Sequence, residues 1–115
     1  MTDPKINSIL DEGNRLFLQG KIREAIKCYD QILNNDPKNI RSLNNKGYAL
    51  SKLKDFDSAM RYYDRALQIT PTDISVQVNK ISSLHKQRNY NEALSLCNSI
   101  LDENPNYTIA LYHKE

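Results

Sequence analysis

The sequence predicts an all-α solenoid of antiparallel helical hairpins, and three observations lead there. Pro37, Pro71 and Pro105 stand 34 residues apart. Apolar residues keep the same step in the columns Ile6/Ile40/Ile74, Leu16/Leu50/Leu84, Ile22/Phe56/Tyr90, Ala25/Ala59/Ala93, Ile26/Met60/Leu94 and Leu33/Leu67/Leu101. Within each unit the apolar residues recur at helical spacing twice, with a polar break at Gln19-Gly20-Lys21, Lys54-Asp55 and Arg88-Asn89. A self-similar unit of this size cannot bury its apolar face alone and stacks on its neighbours.

The chain is expected to form one domain, 1–115, with repeats at about 6–39, 40–73 and 74–107. In the first unit, helices near 5–19 and 22–35 flank the Gly20 break. The second of them stops before Asp36-Pro37, because proline disfavours helix at the residue before it and is suited to open the next one. The second unit repeats the pattern near 39–53 and 56–69 and closes at Thr70-Pro71. The third runs near 73–87 and 90–103 and closes at Asn104-Pro105, after which a seventh helix is expected from about 106 to the end. Gly13 and Gly47 fall inside helices, where glycine costs about 1 kcal/mol relative to alanine. Close approach of the paired helix is the expected reason, with Ala25 and Ala59 opposite.

Composition narrows the function. Sixteen Lys and Arg against fourteen Asp and Glu leave a net charge of +2, without the concentrated positive charge that phosphate backbones demand. The excess sits in residues 40–73, with six basic and four acidic side chains. Cys28 and Cys97 are two repeats apart. Helices packing about 8–10 Å apart would separate them by on the order of 20 Å, whereas a disulfide needs α-carbons within about 7 Å, so both are expected to stay thiols. No apolar run approaches the ~20 residues that span a bilayer, and MTDPKINSIL lacks a basic region followed by an apolar stretch. A reducing, cytoplasmic setting and no membrane contact are expected. His85 and His113 are isolated, and neither a Cys-x-x-Cys pair nor a glycine-rich phosphate loop occurs. No catalysis, metal or cofactor is expected.

Counting from Ile6, the eighth, eleventh, twentieth, twenty-fourth and thirty-second residues are Gly13, Leu16, Ala25, Tyr29 and Pro37; counting from Ile40 they are Gly47, Leu50, Ala59, Tyr63 and Pro71. This pattern resembles the tetratricopeptide repeat (TPR) family, over essentially the whole chain. The unit from Ile74 keeps Leu84, Ala93 and Pro105. It has Ile81 in place of glycine, Cys97 in place of the aromatic residue, and Gln77 where Ile9 and Leu43 stand, so its helices are expected to lie farther apart. The seventh column, usually leucine in the family, holds Glu12, Lys46 and Lys80 and is expected to face solvent.

The resemblance implies a right-handed superhelix acting as a protein-interaction module, whose first helices line a concave groove for a peptide or helix of a partner. Carried over position by position, the groove holds Asn7, Leu10, Asp11, Asn14, Phe17 and Leu18, then Arg41, Asn44, Asn45, Tyr48, Ser51 and Lys52. The third repeat adds Ser75, Val78, Asn79, Ser82, His85 and Lys86. Asn45 and Asn79 match the asparagine ladder of the TPR region in the nucleocytoplasmic sugar transferases, interrupted here at Asp11. A side-chain amide offers both donors and an acceptor to an extended peptide backbone. The chain is also rich in asparagine generally, as Asn34, Asn35, Asn39 and Asn106 show, so simple surface polarity is the competing reading.

Asn14 and Asn45 coincide with two asparagines of the family's chaperone-tail clamp. Its basic positions are Leu10, Ser75 and Asn79 here, so a terminal carboxylate would lose charge-assisted bonds worth about 1.5–3 kcal/mol each, and binding of that kind is not expected. Arg41, Lys52 and Lys86 favour acidic peptides, and Phe17 and Tyr48 offer apolar anchors. A second reading is a self-associating scaffold, or part of a longer array, using a C-terminal apolar edge of Ile109, Leu111 and Tyr112. RNA binding, by analogy with pentatricopeptide repeats, is disfavoured by the weak net charge and by the 34-residue period.

Overall fold

The computed structural model describes residues 4–103. They form six helices and, among the described residues, no strand: α1 (Pro4–Leu18), α2 (Ile22–Asn35), α3 (Ile40–Lys52), α4 (Phe56–Ile69), α5 (Ile74–Lys86) and α6 (Tyr90–Glu103). Every boundary falls within a residue of the sequence expectation. The seventh helix, with Ile109, Leu111 and Tyr112, lies outside the described residues.

Local chemistry sets the starts. The side chains of Asn39, Asp55 and Asp73 accept hydrogen bonds from the backbone N–H groups of Ser42, Ser58 and Val76, at 3.0, 3.4 and 3.2 Å. Each satisfies a donor that the first helical turn leaves orphaned. Pro37 and Pro71 therefore sit in the turns, and the residues that open α3 and α5 are the caps Asn39 and Asp73. Before those turns, the N–H groups of Asp36 and Thr70 close α2 and α4 by bonding back to the carbonyls of Ile32 and Ala66.

Consecutive helices pair as hairpins, and each hairpin stacks on the next through α2 against α3 and α4 against α5. The core is divided in the same way. Leu10, Ala25, Tyr29 and Ile32 cluster with Ala49 of the second repeat. Leu43, Ala59, Tyr63 and Ala66 cluster with Val76 of the third. Ile81, Leu84, Ala93, Cys97 and Ile100 form the last cluster. Each of the first two units thus completes its core with a side chain from its neighbour, as stacked repeats must.

Three expectations change in detail. The glycines face tyrosines rather than Ala25 and Ala59: a β-carbon on Gly47 would stand 2.6 Å from Cε1 of Tyr63, and one on Gly13 would stand 2.7 Å from Cε1 of Tyr29. A flat ring laid against bare backbone is what brings each pair together. In the third repeat that volume moves across the interface, with Ile81 and Cys97 both buried, and α5 and α6 do approach less closely than the first two pairs. Gln77, in an otherwise apolar column, is buried because its Nε2 donates to the Pro71 carbonyl at 2.9 Å and ties α5 to the turn before it.

The third change concerns the seventh column, which does not simply face solvent. Lys46, its side chain 13% exposed, pairs with Asp30 of the preceding repeat and donates to Tyr62 Oη at 2.7 Å. Lys80 pairs with Asp64 at 2.6 Å. The lysine stems lie along the seam between repeats and deliver their ammonium groups to carboxylates on the second helix behind them. Burial works against the charge of Lys46, but the hydrogen bonds it donates to Asp30 and Tyr62 outweigh it and hold its pKa above the ordinary lysine value. Glu12 pairs with Arg15 on its own helix.

Both cysteines are free thiols, Cys97 buried and Cys28 half-buried. Burial pushes the Cys28 thiol up, and Glu12 and Glu24 act the same way, the opposite of what activates a nucleophile. Among the described residues no helix is long and apolar enough to cross a membrane.

Candidate functional site

Along the first helices of the repeats, the side chains are neither uniformly core nor uniformly solvated. On α1 and α3 they enclose a depression of about 240 Å³ lined by Asn14, Phe17, Leu18, Tyr29, Asn45 and Tyr48. Two of its walls are aromatic, with the Phe17 and Tyr48 rings tilted at 36° and their centroids 5.4 Å apart. Leu18 stands at the rim with 84% of its surface exposed.

The polar part of this depression is a small network. Tyr29 Oη donates to Asn14 Oδ1 at 2.7 Å, and Asn45 Nδ2 donates to the same oxygen at 3.1 Å. One repeat further, Asn79 Nδ2 donates to Asn44 Oδ1 at 3.0 Å. Both asparagines singled out as a ladder therefore brace one repeat against the previous one. Below them, buried Ser83 donates to Ser51 Oγ at 2.8 Å and makes a longer contact of 3.5 Å with Tyr63 Oη.

The structure brings together Asn14, Phe17, Leu18, Asn45 and Tyr48 from the expected set. Leu10 does not stand in the groove. It is 2% exposed, packed with Ala25, Tyr29 and Ile32, because an apolar side chain at this position turns into the seam and joins the core. Ser51 is likewise buried. Asn44, Val78, Asn79 and Ser82 are half-buried, whereas Asn7, Asp11, Arg41, Lys52, Ser75, His85 and Lys86 are exposed. His85 meets the Tyr90 ring edge-on at 5.0 Å between centroids. Tyr29, a member of the first core cluster, also lines the depression, where its hydroxyl bonds to Asn14. The signal was the tyrosine itself, since a buried phenol needs a partner and Asn14 is the amide it reaches.

The tetratricopeptide repeat family model matches residues 10–74, more than half of the chain. The chain belongs to the tetratricopeptide repeat family. Solved TPR domains share its fold closely. The first TPR domain of Spaghetti (RPAP3), bound to the HSP90 peptide SRMEEVD, superposes with a TM-score of 0.87 at 24% identity, covering 99% of this chain and 90% of that one. The second TPR domain of human RPAP3, in complex with the HSP70 peptide SGPTIEEVD, gives 0.82 at 22% identity over 93% and 89% of the two chains. The Sgt2 TPR domain from Aspergillus fumigatus gives 0.87 at 18% identity over 97% and 76%. At these identities the likeness is one of fold, the helical TPR solenoid.

Proposed function

We propose that this TPR chain is a non-catalytic protein-interaction module that holds a segment of a partner protein along α1, α3 and α5. The observation that carries the reading is the Phe17–Tyr48 depression, an apolar recess floored by amides and rimmed by exposed Leu18. Exposed apolar surface on a soluble fold marks a contact site, and aromatic anchors in recesses carry most of the energy of many interfaces. The two RPAP3 domains bound to chaperone peptides support peptide capture by this fold.

The chemistry of capture differs from a terminal-carboxylate clamp. Leu10, Ser75 and Asn79 supply no cation for a carboxylate, and the Asn45 amide already donates to Asn14 Oδ1. A bound segment is therefore read by its side chains and backbone rather than by its C-terminus. Random peptides displayed on phage and selected on the immobilised chain provide ligands for titration calorimetry. Tyr48→Ala is expected to weaken the selected peptides by about 1–2 kcal/mol or more, and amidating their C-termini to change little. Selection of peptides whose affinity Tyr48→Ala leaves intact sinks the reading.

The asparagines give a second test. Removing Asn45 and Asn79 together takes away two inter-repeat bonds, each with a net contribution of about 0.5–1.5 kcal/mol. The double alanine variant is expected to lose about 1–3 kcal/mol in denaturant unfolding and to bind peptide more weakly. Unchanged stability would show that the amides are ordinary surface groups.

A further inference from the structure

Half-buried lysines in this fold are matched in register, Lys46 to Asp30 and Lys80 to Asp64. Lys52, Lys54 and Lys86 are exposed and belong to no such pair. With Ser51 and Phe56 they line a second depression, of about 450 Å³, where α3 and α5 end. Among the described residues none of the three has a carboxylate within ion-pair distance. Three lysine side chains thus line one recess without an ion-pair partner among the described residues, an arrangement that favours a ligand bringing negative charge.

The backbone at the rim sets where Lys54 stands. Lys54 has φ 65°, at the place in its repeat where Gly20, φ 82°, stands in the first. Glycine adopts this left-handed conformation without strain, and a residue with a β-carbon does not. Arg88, at the same place in the third repeat, has φ 66°. In all three repeats this residue closes the first helix in the same left-handed turn, with the next N–H bonding back to Leu16, Leu50 or Leu84, so the chain twice keeps a cation where glycine would relax the turn.

This recess adjoins the first. Tyr48 walls the Phe17 depression, and Lys52 follows one turn later with its ammonium 5.4 Å from the Tyr48 ring centroid. A helical turn rises about 5.4 Å, and two residues of extended peptide span about 6.6 Å. A segment anchored beside Tyr48 therefore reaches the lysines two or three residues along its own length. Three separate ammonium groups around a wide mouth suit several separate carboxylates; they lack the arginine fork that grips a single phosphate with two parallel bonds. A net charge of +2 also falls short of an electrostatic track for nucleic acid.

We propose that the recess formed by Lys52, Lys54 and Lys86 is an anion subsite for the Asp and Glu side chains of an acidic partner segment, two or three residues from an apolar residue seated between Phe17 and Tyr48. This deepens the groove reading above and rests on it.

The test uses the peptides selected on the 115-residue chain, with affinities measured by fluorescence anisotropy at low and high salt. Enriched sequences are expected to place Asp or Glu two or three residues from a large apolar residue. Lys52→Gln and Lys86→Gln are each expected to lower affinity about two- to fivefold, an effect that shrinks in high salt. Lys54→Gly is expected to lower affinity similarly while raising the melting temperature by about 3 °C, since it relieves the turn. A purely structural Lys54 would show the second change without the first.

Enriched peptides lacking acidic residues, or lysine variants that bind normally while Tyr48→Ala does not, overturn the subsite and leave the groove standing. No enrichment at all overturns both. Replacing the key glutamate by phosphoserine with a gain above about tenfold reassigns the subsite to phosphopeptides and overturns the carboxylate assignment. Binding of an oligouridylate that the lysine variants weaken, without acidic-peptide binding, does the same in favour of RNA.

Discussion

Replacing Tyr63 with cysteine is expected to lower the unfolding free energy by about 3–5 kcal/mol, the range for deleting a buried ring, and adding Gly47→Ile is expected to restore part of that loss. The ring is fully buried in a cluster with Leu43, Ala59, Ala66 and Val76, so truncation leaves a cavity that rigid helices close only partly. Gly47→Ile alone overpacks, because its β-carbon would lie 2.6–3.1 Å from three atoms of that ring. Isoleucine gains some helix propensity over glycine. Overpacking costs about 1–3 kcal/mol, and a ring held on all sides cannot retreat, so destabilisation wins.

The double variant copies the third repeat, where Ile81 and Cys97 hold the two positions and both are buried. The large residue has changed sides. Denaturant unfolding of the two single variants and the double closes a mutant cycle, with a favourable coupling of about 1–3 kcal/mol expected for residues in direct contact. Strictly additive losses would mean that the two positions do not compete for one volume. Because α3 and α4 pack more closely than α5 and α6, recovery is expected to be partial, and a coupling clearly above zero is enough.

What the sequence made legible follows from how local each determinant is. Helix boundaries depend on Gly20, on the prolines, and on caps such as Asn39 and Asp73, all within a turn of the boundary they set, and they were placed to within a residue. The opposite face of Gly47 depends on how a tyrosine ring lies across a helix pair, and the small Ala59 was the wrong partner. The lysine pairs were present as a register signal, since Asp30 and Asp64 keep the same 34-residue step as Lys46 and Lys80. Only the stacking of α2 on α3 and of α4 on α5 shows that those columns meet. In the groove, family position names Asn14, Phe17, Leu18, Asn45 and Tyr48, and these five line one recess. It misplaced Leu10, whose apolar side chain gains more from the seam than from the groove.

Stability is expected to fall steeply between about pH 10 and pH 12. Burial pushes the Tyr63 phenol up to about 12 from its ordinary value of 10.0, with the Ser83 hydroxyl acting weakly the other way, and burial likewise lifts Tyr29 to about 12. A folded pKa above the unfolded one means that the folded chain keeps protons the unfolded chain has released. The full contribution of these phenols is therefore present below about pH 10, and it drains away as pH rises toward the folded value. For Tyr63 a rise from 10.0 to about 12 corresponds to about 2–3 kcal/mol. Lys46, whose pKa is also raised, loses its inter-repeat pairing over the same alkaline side, so the contributions reinforce one another. Tyrosinate absorbance followed together with far-ultraviolet circular dichroism separates the cases. The buried pair is expected to ionise only as the helices melt, so its tyrosinate absorbance should rise together with the loss of helix. Tyr63→Phe keeps the ring against Gly47 and removes the ionisable group, so its alkaline midpoint is expected to move to higher pH. A midpoint that stays where it was would show that ionisation of Tyr63 does not drive the transition.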